Sequence, residues 1–222
     1  QNKNIIITGS NTGIGLELVK KLLVSNNLLA LVNKKFENLK ILNEKKMKII
    51  QCDFEENNLP NDLLNEINMF EPNILINCAG SFGFPDQDLS KIEIENYKKV
   101  LNINVFSPLK LIQISLESKS LEQIVNITSE MGSISNNMSG GYYYYRCSKT
   151  LLNSISRNLS LDLKSKNINV FCIHPGNVKT KMNNSGVISP DISAQKIINI
   201  MFENNTNLSG SFVGINKEII KW

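Results

Sequence analysis

The sequence NIIITGSNTGIG, residues Asn4 to Gly15, joins a short apolar run directly to a glycine-rich turn. Gly9, Gly13 and Gly15 fall in the spacing G-x-x-x-G-x-G. Glycine tolerates positive φ and lets the backbone approach a pyrophosphate, and a following helix offers free N–H groups and a partial positive charge. The segment therefore predicts a first strand, a nucleotide-binding turn and a helix. A P-loop NTPase is not indicated, because no Gly-Lys-Ser/Thr follows.

Short apolar runs alternate with helical patterns along the rest of the chain. The runs are continuous and often β-branched, which is typical of strands buried on both faces of a parallel sheet. The predicted strands are Asn4–Thr8, Leu28–Asn33, Lys48–Cys52, Ile74–Asn77, Gln123–Thr128, Asn169–Ile173 and Ser211–Gly214. The predicted helices are Gly13–Ser25, Phe36–Glu44, Leu59–Phe70, Ile92–Leu116, Tyr142–Lys164 and Ile192–Phe202. This alternation predicts an α/β fold, with residues 1–222 as a single Rossmann domain: a doubly wound parallel sheet of about seven strands with helices on both faces.

Composition narrows the class of partner. The 222 residues carry a net charge of +4, but the lysines are scattered among acids and asparagines, so no nucleic-acid surface is indicated. The first apolar run is too short for a signal peptide or a membrane span. We therefore expect a cytoplasmic protein with no membrane partner. No metal site is expected either, because no Cys-x-x-Cys or Cys/His cluster occurs. The four isolated cysteines are interpreted as small core residues: Cys52, Cys78, Cys147 and Cys172.

A second informative segment is GGYYYYRCSK, residues Gly140 to Lys149. Tyr145 lies four residues before Lys149, so one helical face brings the two side chains together, whereas five- and six-residue spacings separate them. A nearby ammonium favours the phenolate form, and a phenol so placed is a proton donor or acceptor. Tyr142 lies on the same face nearly two turns away and is the remaining tyrosine that best fits a substrate contact. On its own, the segment fits an aromatic cluster at a helix start better than a reactive pair.

With these motifs together, the chain resembles the short-chain dehydrogenase/reductase (SDR) family. TGSNTGIG matches the cofactor loop of that family, and YRCSK matches its Tyr-x-x-x-Lys. NCAG, at Asn77–Gly80, matches its Asn-rich motif with cysteine in place of the second asparagine. Three further motifs follow the expected order, so that the matches span most of the chain: LNINV with Asn104, VNITS with Ser129, and Pro175 to Thr180 in IHPGNVKT.

The resemblance implies a role for each matching residue. Tyr145 is the implied proton donor or acceptor, and Lys149 is implied to lower the pKa of Tyr145 and to bind the nicotinamide ribose. Ser129 is implied to hydrogen-bond the substrate oxygen, and Asn104 to hold a water of the proton relay. His174, the single histidine, is assigned a structural role because the tyrosine already supplies the acid. Asp53 fits either an adenine contact or a turn cap. The residues implied to bind the dinucleotide are Gly9, Ser10, Asn11, Gly13, Ile14, Gly15, Asn33, Lys34, Asp53, Phe54, Asn77, Ala79, Gly80, Tyr145, Lys149, Pro175, Gly176, Val178 and Thr180.

The segment after the second strand bears on cofactor choice. NAD-preferring members place an acid there, but LVNKKF offers Asn33, Lys34 and Lys35, which favours NADP(H), with Lys34 as the hypothesised contact to the 2′-phosphate. Thr12 argues the other way, since many NADP-dependent members carry a basic residue at that position.

The chain leaves little room for a lid after Thr180, so we expect an open site that could be lined by Met131, Phe82, Phe84, Met182 and the spare tyrosines. With the ending GSFVGINKEIIKW, it looks like the C-factor and sniffer-type carbonyl reductase branch. That resemblance implies NADPH-dependent reduction of a small aldehyde or ketone. Two alternatives stay open: NAD-dependent alcohol oxidation, and a C-factor-like signalling or NADP-sensing protein. Family members commonly associate through helices matching Ile92–Leu116 and Tyr142–Lys164, so a homo-oligomer, dimer or tetramer, is compatible with the sequence.

Overall fold

Seven parallel strands form the centre of the structure, a computed structural model that describes residues 2–33, 39, 42, 44–56, 59–203 and 208–222. The strands are β1 (Asn4–Thr8), β2 (Asn27–Val32), β3 (Met47–Gln51), β4 (Ile74–Asn77), β5 (Gln123–Ile127), β6 (Asn169–His174) and β7 (Phe212–Gly214). Their order across the sheet is β3-β2-β1-β4-β5-β6-β7, with every neighbouring pair parallel. The chain therefore winds outward from β1 in one direction and from β4 in the other, which confirms the predicted doubly wound sheet. The change of direction opens a crevice at the carboxyl ends of β1 and β4.

Helices cover both faces of this sheet. They are α1 (Gly13–Leu22), α2 (Leu63–Phe70), α3 (Ile94–Leu101), α4 (Ser107–Ser115), α5 (Tyr143–Asp162) and α6 (Pro190–Met201). Short 3₁₀ turns lie at Glu44–Lys46, Leu89–Lys91, Glu130–Gly132 and Lys164–Lys166. The predicted helix Phe36–Glu44 falls mostly outside the described residues.

The apolar residues of the sheet divide between two cores. Ile5 and Ile7 point to the face that α1 and α6 cover, where they pack with Leu18 and Ile197. The intervening Ile6 points to the other face, which belongs to α2, α4 and α5. Burial on both faces explains why the strands are continuous apolar runs without alternation. The strand predictions agree with the structure to within one residue at each end, and β1 and β4 agree at both ends.

Two helix predictions were wrong in their extent. The helix predicted from Leu59 begins at Leu63, because Pro60 disfavours helical geometry in the residue before it. The helix predicted over Ile92–Leu116 is broken into α3 and α4 by a π-helical turn at Asn102–Phe106. Pro108, in the first turn of α4, has no N–H to offer Asn104, and its ring would clash with that carbonyl in a regular helix.

A short polar network crosses the second core beneath the carboxyl ends of β4 and β5. Asn77 faces Asn126 on the neighbouring strand and donates through Nδ2 to its Oδ1 at 2.8 Å. Asn126 in turn donates to the Ser156 hydroxyl of α5 at 2.8 Å. All three residues are buried. A buried amide without partners costs free energy, so this network ties β4, β5 and α5 into one register.

Candidate active site

The glycine turn lies at the carboxyl end of β1, where the crevice opens. Gly9 and Gly13 have φ of +67° and +54°, values that residues with a Cβ rarely adopt. A Cβ on Gly9 would lie 2.8 Å from the Cα of Ala79, and one on Gly15 would lie 2.2 Å from the Gly9 carbonyl oxygen. The predicted glycines are therefore required by the packing of this turn as well as by any ligand.

The start of α1 is open to an anion. Its N-cap, Thr12, makes no side-chain capping bond, and no acidic residue lies in the first turn. The neighbouring Ser10 is fully buried and donates its hydroxyl to the Ile7 carbonyl at 2.7 Å, so its side chain serves the turn itself. Asn11 and Ile14 are half-buried beside it.

The residues predicted at the adenosine side follow β2 and β3. Asn33 is exposed directly after β2, whereas Lys34 lies outside the described residues. Asp53 is half-buried, and one of its oxygens accepts the backbone N–H of Glu55 at 3.0 Å, as in a turn cap. Phe54, the next residue, is buried. Both interpretations of Asp53 are compatible with this geometry, since its second oxygen is not used in that bond.

The loop after β4 is held against the glycine turn by one hydroxyl. Thr8 Oγ1 accepts the backbone N–H groups of both Cys78 and Ala79, each at 2.9 Å. Gly80 follows, and a Cβ there would lie 3.5 Å from Lys149 Nζ and 3.6 Å from Asn104 Oδ1. The loop thus brings the glycine turn and the residues of the predicted proton relay together.

Tyr145, Ser129 and Lys149 meet where β5 ends beside the first turns of α5. The Ser129 hydroxyl lies close to the Tyr145 phenol and, as a hydrogen-bond donor, favours its ionised form. Lys149 is 4% exposed, donates from Nζ to the Ile127 carbonyl at 3.0 Å, and has its ammonium 5.8 Å from the centre of the Tyr145 ring. The helical spacing from the sequence therefore does place the two side chains side by side.

The pKa values of this pair follow burial. Burial raises the pKa of the Tyr145 phenol, and the hydrogen bond with Ser129 partly offsets that rise. Burial also lowers the pKa of Lys149 to about 8. Burial therefore sets the direction of the Tyr145 pKa in this structure, and the expectation that Lys149 lowers it stays a prediction. A phenol that stays neutral at neutral pH is suited to donating a proton.

Asn104 lies in the π-helical turn and holds the loop after β4. Its Oδ1 accepts the backbone N–H of Ser81 at 2.7 Å, and its Nδ2 donates to the Ser81 carbonyl at 2.9 Å and to the Ser148 hydroxyl at 2.8 Å. Ser148 donates in turn to the Tyr145 carbonyl at 2.8 Å. Sequence reasoning missed Ser148, although its place directly before Lys149 was a signal.

The remaining tyrosines separate into core and surface. Tyr144 is fully buried, and its hydroxyl accepts the backbone N–H of Glu93 at 2.8 Å. Tyr143 is exposed. Tyr142 has a left-handed backbone (φ +52°), and its ring packs edge-to-face with that of Phe82, with 5.5 Å between the ring centres. The ring centre of Phe82 lies 4.8 Å from that of Tyr145. Tyr142 and Phe82 therefore form an aromatic wall beside the Tyr145 phenol.

The segment after β6 closes the other side of the crevice. A Cβ on Gly13 would lie 3.4 Å from Thr180 Cγ2, so Thr180 lies against the glycine turn. Gly176 has φ +81°, and Val178 pairs with Ile188 in an isolated bridge. The backbone N–H groups of residues 187 and 188 both return to the Asn177 carbonyl, so this segment is a tight loop that leads directly into α6. The Pro175 carbonyl accepts the Ser193 hydroxyl of α6 at 2.7 Å.

Burial accounts for three of the four cysteines, whereas Cys147 is exposed, so the prediction that it is a core residue was wrong. The pKa values of the Cys52, Cys78 and Cys172 thiols are each raised to about 12, mainly by burial, which makes these thiols unreactive at neutral pH. Within the described ranges, no group of three or more His, Cys, Asp and Glu residues could hold a metal ion. The helices in that part of the chain are too short or too polar to cross a membrane.

Comparison with known proteins agrees with this geometry. Residues 3–188 match the short chain dehydrogenase family. C-signal of Myxococcus xanthus is 30% identical over 154 residues, which cover 67% of this chain and 92% of that protein. A probable short-chain type dehydrogenase/reductase of Helicobacter pylori, VdlC, is 30% identical over 180 residues, 79% of this chain but 65% of that protein. The structure of carbonyl reductase Sniffer of D. melanogaster superposes over the whole of both chains with a TM-score of 0.92 and 27% identity.

Proposed function

This chain belongs to the short-chain dehydrogenase/reductase family of NAD(P)-dependent oxidoreductases, and from that premise we propose that it is an NADPH-dependent carbonyl reductase. Its substrate would be an aldehyde or ketone that is reduced to the alcohol. The observation that carries the proposal is the half-buried Tyr145 phenol, which has the Ser129 hydroxyl and the buried Lys149 beside it. We also propose that residues 1–222 form one domain that contains the whole site.

The crevice fits a dinucleotide. Gly9 and Ala79 meet without intervening side chains, α1 begins without a cap or an acid, and Thr180 closes against Gly13. The proposed phosphate contacts are the backbone at Gly9, Ser10, Asn11, Gly13, Ile14 and Gly15. The proposed adenosine contacts are Asn33, Lys34, Asp53 and Phe54. The proposed nicotinamide and ribose contacts are Asn77, Ala79, Gly80, Tyr145, Lys149, Pro175, Gly176, Val178 and Thr180. NADPH, when bound, supplies the hydride.

In the proposed reaction Ser129 and Tyr145 both hydrogen-bond the carbonyl oxygen of the substrate. The carbonyl carbon gains a hydride and its oxygen gains the phenolic proton of Tyr145, so that the C=O group becomes CH–OH. Negative charge develops on that oxygen, and a general acid at this atom contributes about 10²–10⁴ in rate. The raised pKa of Tyr145 keeps its proton in place until then.

Lys149 would restore the proton. Its pKa of about 8 leaves the ammonium mostly protonated at neutral pH but able to release a proton when the phenolate forms beside it. Gly80 leaves space between Lys149 Nζ and Asn104 Oδ1, which is where the proposed water of the relay would pass a proton between solvent and the ammonium. Reduction should accordingly slow above about pH 8, as Lys149 loses its charge.

The function is tested by a panel of aldehydes, ketones and quinones, monitored through NADPH absorbance. Wild type should oxidise NADPH with at least one carbonyl, and Tyr145→Phe should not. NAD-dependent oxidation of the matching alcohols tests the opposite direction. Binding of NADPH without turnover of any carbonyl would contradict the proposal.

The preference for NADPH rests on the predicted basic segment. Lys34→Ala should raise KM for NADPH far more than KM for NADH, because only NADPH carries the 2′-phosphate. Lys35→Ala is the matched control, with the same charge removed one position later. Equal effects of Lys34→Ala on the two cofactors would refute the contact, and a selective effect of Lys35→Ala would move it to that residue.

Signalling is a second candidate, favoured by the 30% identity to C-signal over 92% of that protein's length. It is separated from catalysis by expressing Tyr145→Phe in the source cells. A phenotype that needs the protein but tolerates the inactive variant would favour signalling or cofactor sensing over reduction.

A further inference from the structure

His174, the single histidine of the chain, lies behind the predicted catalytic serine. It is the last residue of β6, its side chain is 18% exposed, and its Nδ1 accepts the backbone N–H of Glu130 at 3.1 Å. Glu130 directly follows Ser129 in the chain. An imidazole nitrogen can accept this bond only while it carries no proton.

The turn that carries Ser129 is fixed from two sides. On the α5 side the Gly132 carbonyl accepts Thr150 Oγ1 at 2.9 Å and Asn153 Nδ2 at 3.2 Å. A Cβ on Gly132 would lie 2.8 Å from the Cβ of Lys149, so the turn is in close contact with that helix. On the β6 side the His174 side chain holds the turn, because its Nδ1 accepts the Glu130 N–H.

The Ser129 hydroxyl depends on this support. It accepts the backbone N–H of Met131 at 3.2 Å within the same turn, and it lies close enough to the Tyr145 phenol to lower its pKa. A shift of the Glu130 backbone therefore moves Ser129 relative to Tyr145, and a displacement of about 1 Å in a positioning group can cost roughly 10²-fold in rate.

We propose that His174 is a positioning residue that holds Ser129 at Tyr145 while its Nδ1 is unprotonated, and that protonation of this ring releases Ser129 and switches the reaction off at acidic pH. The inference rests on the proposed function, because it assigns an acidic limit to the same site.

The charges around the ring determine where this switch acts. Glu130 Oε2 lies 3.9 Å from Nε2, and Glu218 also faces the ring; both carboxylates favour the imidazolium. Burial opposes them and prevails, so the pKa of His174 is lowered from its usual value. The ring is therefore neutral at neutral pH and becomes protonated only in mildly to strongly acidic solution.

Three variants test the switch through the pH profile of kcat and KM between about pH 5 and 8. His174→Asn keeps an acceptor near the position of Nδ1 but does not titrate, so it should retain neutral activity and stay active at acidic pH where wild type declines. His174→Leu has no acceptor, so its kcat should be about tenfold below that of neutral wild type and should show no acidic decline, with KM for NADPH unchanged. Glu130→Gln should move the acidic decline of wild type to lower pH, because the carboxylate raises the pKa of His174.

Nuclear magnetic resonance supplies a measurement independent of turnover. With one histidine, the imidazole titration of isotope-labelled protein is unambiguous, and the backbone amides of Glu130 and Ser129 should titrate with the same midpoint. Their shifts should be constant with pH in His174→Asn. Amides of Glu130 and Ser129 that ignore the imidazole titration would overturn the proposal whether or not any carbonyl is reduced. So would an acidic decline in rate that is the same in wild type and His174→Asn.

Discussion

Tyr144 and Tyr145 are neighbours in the chain, and removing one hydroxyl oxygen from each should have opposite effects. The Tyr144 hydroxyl accepts the Glu93 N–H at 2.8 Å at the start of α3, and the Tyr144 side chain is fully buried. Loss of such a bond costs about 1 kcal/mol. In a chain of this length that corresponds to a fall in Tm of about 2–4 °C. Tyr144→Phe should therefore be less stable and fully active.

Tyr145→Phe should show the reverse pattern. The Ser129 hydroxyl keeps its bond with the Met131 N–H, so little stability is lost, less than about 0.5 kcal/mol. Loss of the general acid should lower kcat by at least about 10²-fold. The pair is therefore a matched test of which phenol reacts, with the same atom removed from adjacent positions.

The assay combines thermal unfolding with NADPH oxidation for wild type and the two variants. Circular dichroism gives Tm, and kcat is measured with the best carbonyl of the panel. The reasoning fails if Tyr144→Phe loses activity without losing stability. It also fails if Tyr145→Phe retains more than about a tenth of kcat, which is well above the activity expected to remain after loss of a general acid.

Three further predictions follow from the buried groups and the glycines. Lys149→Met should abolish reduction yet raise the free energy of unfolding at pH 7, because burial disfavours the ammonium. The pKa of Lys149 is lowered from 10.5 to about 8, so wild type gains stability as the pH rises between those values. The difference in free energy of unfolding between variant and wild type, measured in urea, should therefore shrink across that window. Asn126→Leu should cost about 1–3 kcal/mol in urea unfolding, because it leaves the buried Asn77 Nδ2 without its acceptor, whereas the Ser156 hydroxyl keeps its bond to the Leu152 carbonyl. Gly13→Ala and Gly141→Ala both place a side chain at positive φ, which should cost about 1–2 kcal/mol of stability each. Only Gly13→Ala should raise KM for NADPH, by roughly tenfold. An equal rise in KM for both variants would show that the glycine turn does not bind the cofactor.

The sheet was predictable because its strands are buried on both faces. Such strands are short continuous apolar runs, and their alternation with helical patterns specifies the winding. The break between α3 and α4 was missed because the apolar pattern continues through it, and only the missing N–H of Pro108 marks it.

The reactive pair was predictable for a local reason, since four residues along a helix bring Tyr145 and Lys149 together. The contacts of Asn126 and His174 were not, because they depend on which residues face each other across β4, β5 and β6. The raised pKa of the Tyr145 phenol was missed for a related reason: the sequence does not show that the folded chain buries this side chain.

The turn that precedes α5 offers a practical route to altered substrate choice. Gly140, Gly141 and Tyr142 have three consecutive left-handed backbones, and a Cβ at either glycine would meet no atom within 4 Å. The aromatic wall that Tyr142 forms with Phe82 is thus carried by a segment without core contacts, while the anchor of the helix, Tyr144, lies two residues further on. A directed-evolution library confined to Tyr142 would consequently sample new pocket shapes at little cost to the scaffold, whereas Gly140 and Gly141 are best kept, because a side chain at their positive φ costs about 1–2 kcal/mol each.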